Sequence, residues 1–226
     1  MSKKTHKLKY ILYQLINHLP FSLFGVMISI IVMGFLTFIA HILQAQELVP
    51  SASEELFHVF HASHVLISAV ASTAMFRKHD GHLFKAIFVG IVGSITICGI
   101  SDIFFPYIGG IFLRADMHCH ICLIEEPQLV YPFALIGTIA GLGAHRSFEK
   151  ATEYSHSFHV FVSSLASLLY LMAFGLTDWT HAIGAVLLIT VFAVMLPCCL
   201  SDIAFPLMCS HSHCQHPDIM DQEHAH

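Results

Sequence analysis

The sequence predicts an all-α integral membrane protein in which six transmembrane helices form two inverted three-helix repeats. Of its 226 residues, 56% are apolar and only 11% are charged, and the mean hydropathy is +0.72. These values lie outside the range of ordinary soluble domains. Six apolar stretches approach the length that crosses a bilayer. A series of short motifs also occurs in the same order in both halves of the chain, which indicates an internal repeat.

The six predicted spans are separated by few charged residues, so buried helices of a soluble protein are a poor explanation for them. A transmembrane helix needs about 17–25 residues, and the fourth stretch is the shortest of the set. The spans lie at about 20–43, 56–76, 83–105, 129–145, 156–176 and 182–206.

The distribution of Lys and Arg predicts the orientation. The N-terminal arm, residues 1–19, is basic, and the apolar run after it is too long for the core of a signal peptide, so we expect an uncleaved first helix. The connection 44–54 has no Lys or Arg, whereas Arg77 and Lys78 precede the third span. Since basic connections face the cytoplasm, we expect a multi-pass protein of a cell membrane, a bacterial inner membrane, with both termini cytoplasmic.

The repeat is defined by three pairs of motifs. Each copy holds three spans, and an odd number means that the second copy enters the membrane from the opposite side. Inverted repeats are a common construction of secondary transporters. The first copy covers 20–122, the second covers 129–208, and a tail of 209–226 follows. The paired motifs are PFSLFG at 20–25 and PFALIG at 132–137, ELFHVFH at 55–61 and EYSHSFH at 153–159, and SDIFFP at 101–106 and SDIAFP at 201–206.

The repeated motifs supply carboxylates and imidazoles at helical spacing, and such groups are costly to bury in lipid without a function. Neutral imidazole together with carboxylate suits zinc, iron or manganese, whereas calcium and magnesium prefer oxygen ligands. We therefore predict a divalent transition-metal site. Its predicted ligands are Glu55, His58, His61 and Asp102, their equivalents Glu153, His156, His159 and Asp202, and His64, which only the first copy has.

Inversion predicts one cluster of these ligands near each membrane face, although both clusters can meet deeper in the membrane if the helices are broken. A simpler role is open for Asp102 and Asp202, because an Asp one turn before a proline can bond backbone groups that the proline frees.

A His/Cys-rich segment follows each copy, and such tracts commonly bind metal. We expect the first outside and the second inside, each capturing ions at its face. A solvated tail is the alternative, as is a disulfide between Cys119 and Cys122. The residues of these segments are His118, Cys119, His120 and Cys122 in the first, and Cys209, His211, His213 and Cys214 in the second.

These observations favour a membrane transporter of divalent transition-metal ions over an enzyme. The alternative is a membrane-embedded redox enzyme or electron carrier that depends on metal or haem, with histidines as haem ligands. The net charge of −5 and the lack of a strongly basic face exclude nucleic acid as a partner. The expected partners are the metal ion and the lipid bilayer, and the short chain leaves room for a homodimer.

Overall fold

The architecture is that of a helical bundle. The computed structural model describes the backbone of residues 3–79, 82–144 and 152–209, and the side chains of 19–77, 82–144 and 157–195 together with residues 16 and 197. Every regular element in this part of the chain is helical. The α-helices are α1 (Lys3–Ile42), α2 (Val49–His79), α3 (Leu83–Gly99), α4 (Phe105–Phe112), α5 (Cys122–Glu125), α6 (Pro127–Ala144), α7 (Thr152–Ala173) and α8 (Ile183–Cys209).

Four helical segments are long and apolar enough to cross a membrane: Leu19–Ile42, Gln46–Arg77, Leu83–Phe112 and Pro127–Ala144. They correspond to the first four predicted spans. The fifth and sixth predictions fall on α7 and α8, where the apolar helical stretches Ser157–Ala173 and Trp179–Met195 are shorter. Within the described residues the fold is therefore an all-helical bundle with four candidate membrane-spanning helices.

Large apolar side chains cover the outside of the bundle, as expected where lipid replaces water as the solvent. Phe35 on α1, Phe88 on α3 and Ile139 on α6 are each more than 60% exposed. A soluble protein rarely leaves so many large apolar side chains exposed on several of its helices. This surface and the four long apolar helices indicate a membrane protein.

Helix α2 is the central element, because it packs against α3, α6 and α7, while α1 packs against α7 and α8. Gly137 on α6 lets α6 approach α2 closely. A Cβ at Gly137 would collide with the Leu66 carbonyl oxygen and lie 2.8 Å from the Ala69 Cβ. Because α2 is enclosed on three sides, its polar side chains His61, His64, Ser68 and Ser72 are buried within the bundle.

A π-helical turn at Ile100–Phe104 joins α3 to α4 and contains Asp102. Pro106 follows four residues later; a proline lacks the N–H that would bond to Asp102 and its ring crowds that carbonyl, so a regular α-helical turn is disfavoured here. Such widened turns occur often at functional sites. Asp102 is completely buried there, facing α2 and α7.

Candidate metal site

An acidic cavity opens at the end of the bundle where α2 and α6 begin and α7 ends; we call it the vestibule. Its volume is about 660 Å³. Among the side chains described, neither Lys nor Arg lines it, so its charge is negative. The lining residues are Glu54, Asp116, His118, His120, Glu125, Glu126, Ala173, Phe174, Gly175 and Thr177.

The turn after α7 holds the vestibule wall together. Gly175 has a φ of +153°, and a Cβ there would lie 2.7 Å from the Asp116 carbonyl oxygen, so both the conformation and the space favour glycine. The backbone N–H of His118 donates to the Phe174 carbonyl at 2.7 Å. The connection between α4 and α5 is thereby attached to the end of α7.

Three side chains that could hold a metal ion converge beside the vestibule: His58, His120 and Cys122. We call them the outer site because they lie nearer the end of the bundle than the buried residues of α2. One potential ligand atom from each lies within 4.8 Å of the others. The Nε2 atoms of His58 and His120 are 3.1 Å apart. Two nitrogens bound to one tetrahedral zinc are separated by about 3.3 Å, since each Zn–N bond is about 2.0 Å. The pair is thus close to the spacing that a bound ion requires.

Glu125 fixes the orientation of the His120 ring. Its Oε2 accepts a hydrogen bond from His120 Nδ1 at 2.9 Å, and its Oε1 accepts one from the Ile121 N–H at 2.9 Å. The bond from Ile121 is the main reason that the pKa of the Glu125 carboxyl is lowered. Because an ionised carboxylate only accepts, His120 donates from Nδ1 and directs the lone pair of Nε2 toward His58.

Aromatic side chains support the outer site from inside the bundle. The ring of Phe174 stacks on His120 with centroids 4.7 Å apart and an interplanar angle of 8°. The Tyr170 hydroxyl accepts the backbone N–H of His120 at 3.1 Å, and Phe57 packs against Tyr170 at 5.3 Å. These contacts hold His120 from two directions, so its position does not depend on Glu125 alone.

Cys122 is 98% buried, since its exposed fraction is 2%. Burial is the main reason that the pKa of its thiol is raised to about 12, and nearby carboxylates including Glu125 add to the effect. A metal ion binds the thiolate, so an ion at the outer site displaces the thiol proton.

Deeper along α2, Asp102 gathers side chains from three elements into what we call the buried cluster. Its Oδ2 accepts from His61 Nδ1 at 2.9 Å and from His64 Nδ1 at 2.7 Å. Its Oδ1 accepts from the Ser101 hydroxyl at 2.6 Å and from the Ser163 hydroxyl at 3.0 Å. A carboxylate this deeply buried needs such partners, since burying it unpaired is very costly.

The buried cluster joins the two copies of the repeated motif. His64 on α2 and His159 on α7 approach with their Nε2 atoms 2.7 Å apart and their ring centroids 4.6 Å apart. Cys98 is fully buried on α3. One histidine from each of the two copies therefore takes part in a contact inside the bundle.

The structure divides the predicted ligands of the first copy between two places. His58 belongs to the outer site with His120 and Cys122, whereas His61, His64 and Asp102 belong to the buried cluster. Glu55 is exposed and does not line the vestibule, whereas the preceding residue, Glu54, does. Cys119 is exposed and has a free thiol.

Most of the second copy's predicted ligands have side chains outside the described set. Among them, His159 alone has a described side chain. The backbones at Glu153, His156, Asp202 and Cys209 are helical, while their side chains lie outside the described set. The tail residues His211, His213 and Cys214 lie entirely outside the described residues.

The sequence analysis did not identify Glu125 or Tyr170 as supports of a ligand. Glu125 ends the four-residue helix α5 and His120 lies in the irregular connection before that helix, so no periodicity predicts their contact. The Tyr170 contact joins residues 50 positions apart. The excess of acids at 116–126 was the available signal, since five acidic or imidazole side chains of that segment line the vestibule.

Comparison with known proteins identifies no relative: no protein-family model, no curated protein and no solved structure matches the chain.

Proposed function

We propose that this protein is a membrane transporter that binds divalent transition-metal ions at the outer site and passes them along the polar face of α2. The observation that carries the proposal is the convergence of His58, His120 and Cys122 beside an acidic vestibule, with His58 on a helix long enough to cross a membrane.

The charge and chemistry of this end suit a cation of the zinc class. Glu54, Asp116, Glu125 and Glu126 line the vestibule, and a cleft lined by one sign of charge concentrates the opposite ion. Two imidazoles and a thiolate favour zinc and its neighbours over calcium and magnesium. Three protein ligands leave a fourth position for water, which allows an ion to be exchanged rather than permanently held.

The polar face of α2 supports passage beyond the outer site. From Glu54 the face continues through His58, His61, Ser68 and Ser72. Of these residues, His61, Ser68 and Ser72 are buried. At 1.5 Å per residue, Glu54 and Ser72 are about 27 Å apart along the axis, close to the thickness of a bilayer's hydrocarbon core. Polar residues that face the interior of a membrane bundle commonly mark an ion pathway.

The second copy has a proposed role at the other end of this path. We assign Glu153, His156 and Asp202 to the ligands from which the ion is released, with the tail collecting it. Inverted repeats that expose the path alternately to each side are the expected mechanism, and their support is the order of the sequence motifs.

The proposal is tested with protein in zinc-free liposomes that contain a fluorescent zinc indicator. Loss of an outer-shell partner lowers metal affinity about 10–100-fold, and loss of a ligand lowers it at least as much. We therefore expect His58→Ala to reduce zinc flux at least about tenfold at low zinc. The control is His181→Ala, since His181 is exposed, pairs with Asp178 at 2.7 Å and does not line the vestibule. Full flux in His58→Ala would refute the role of the outer site.

The open fourth ligand position also suits a metal-dependent enzyme, which is the second candidate function. Catalytic metal sites keep such a position for water or substrate. The same liposomes separate the two functions: an enzyme binds zinc at the outer site without moving it across the bilayer.

A further inference from the structure

We infer that His64 and His159 form a second metal site inside the bundle, an all-nitrogen transit site that receives the ion from the outer site. The inference rests on the proposed function and deepens it, because it names the ligands of the next step. His58 and His64 are six residues apart on α2, so the two sites are about 9 Å apart along the helix axis.

Asp102 has no acceptor position left for a metal ion. A carboxylate offers about four lone-pair positions. The two imidazoles fill those of Oδ2, and the Ser101 and Ser163 hydroxyls fill those of Oδ1. Asp102 is therefore a positioning residue that orients imidazoles, rather than the ligand that the sequence predicted.

The contact with Asp102 selects the tautomer of His64. Since Asp102 accepts from its Nδ1, neutral His64 carries its lone pair on Nε2, the atom that faces His159. Metal-binding histidines characteristically donate their other N–H to a carboxylate, which fixes the ring and makes the ligand more basic. The outer site repeats this arrangement, with Glu125 bonded to His120 Nδ1.

The distance between the two Nε2 atoms is close to the spacing that a metal ion requires. At 2.7 Å the Nε2 atoms of His64 and His159 share a proton in a hydrogen bond. Two zinc–nitrogen bonds of about 2.0 Å at a tetrahedral angle require about 3.3 Å, so the rings separate by about 0.6 Å when an ion takes the place of that proton. Two protein ligands bind less tightly than three, and a site in a conduction path must release its ion.

Cobalt(II) distinguishes the two sites, because a thiolate ligand gives a near-ultraviolet charge-transfer band and imidazole does not. We expect the purified full-length protein to show a Cys122-dependent band at low cobalt and a further binding event without such a band at higher cobalt. His159→Gln should lower the bound cobalt by one ion per chain and keep the Cys122-dependent band, which also shows that the variant is folded.

His159→Cys provides a positive test that a purely structural role does not satisfy. We expect it to retain the second binding event and to add a thiolate band to that event. Asp102→Asn should weaken the second event about 10–100-fold and leave the first unchanged.

The results separate the two proposals. A second event that persists unchanged in His159→Gln, or its absence from the wild-type protein while the Cys122-dependent band is present, refutes the transit site. A missing second band in His159→Cys refutes it as well. If the wild-type protein itself shows no Cys122-dependent band, the outer site is refuted instead.

Discussion

Replacing Glu125 with alanine removes the group that orients a ligand of the outer site without removing the ligand. The carboxylate accepts from His120 Nδ1 and from the Ile121 N–H, each at 2.9 Å. Without it, the His120 ring loses the partner that selects its tautomer. The stacked Phe174 ring and the Tyr170 hydroxyl remain, so His120 should keep its position while binding metal less well.

The size of the effect follows from the exposure of Glu125. Removing an outer-shell partner of a metal-binding histidine costs 10–100-fold in affinity, about 1.4–2.7 kcal/mol. The Glu125 side chain is 43% exposed, so water can replace part of both hydrogen bonds. We therefore expect the lower end, a rise in the zinc dissociation constant of about tenfold or about 1.4 kcal/mol.

The assay is a competition titration of the purified protein against a chromogenic zinc chelator. Glu126→Ala is the matched control, since Glu126 also lines the vestibule but its side chain accepts from Gln128. Both variants remove one negative charge, and only Glu125→Ala frees the His120 ring. Equal dissociation constants in the two variants would contradict an orienting role and leave only attraction by charge.

Two further predictions concern packing and thiol chemistry. Gly137→Ala should destabilise the bundle by about 1–3 kcal/mol through overpacking against α2, whereas Gly143→Ala, whose Cβ would meet nothing within 4 Å, should be neutral or slightly stabilising; thermal unfolding in detergent measures both, and equal midpoints would contradict the close contact. Iodoacetamide at pH 7.5 should modify exposed Cys119 at least about 100-fold faster than buried Cys122, because each unit by which a pKa is raised lowers the thiolate fraction about tenfold. Mass spectrometry of the peptides gives the two rates, and similar rates would refute the buried position of Cys122.

Composition predicted the helical membrane character of the chain, since only a helix satisfies its own backbone within lipid. The apolar stretches also gave the positions of the four long helices to within a few residues at most ends. The largest differences were at three ends. Helix α1 begins at Lys3 rather than near 20, α2 begins at Val49 rather than near 56, and the third span continues through the π-helical turn to Phe112. Charged and small residues near a helix end do not prevent a helix from extending into the interface.

The repeated motif singled out the histidines of α2 because their spacing places them on one helical face. Periodicity does not reveal which neighbour that face meets. Glu54 rather than Glu55 lines the vestibule, because Glu54 is four residues before His58 and shares its face. The sequence therefore determined the residue types and their helix, while the direction in which α2 faces depends on packing against α3, α6 and α7.

The sequence by itself determined that this protein is apolar, helical and rich in metal-binding side chains, because those properties depend on composition and local spacing. Only the tertiary structure decided the partners. It joined His58 to His120 across 62 residues and His64 to His159 across 95, and it used all the lone pairs of Asp102 for hydrogen bonds. Contacts over such separations depend on how helices and connections pack, and no local pattern in the chain specifies them.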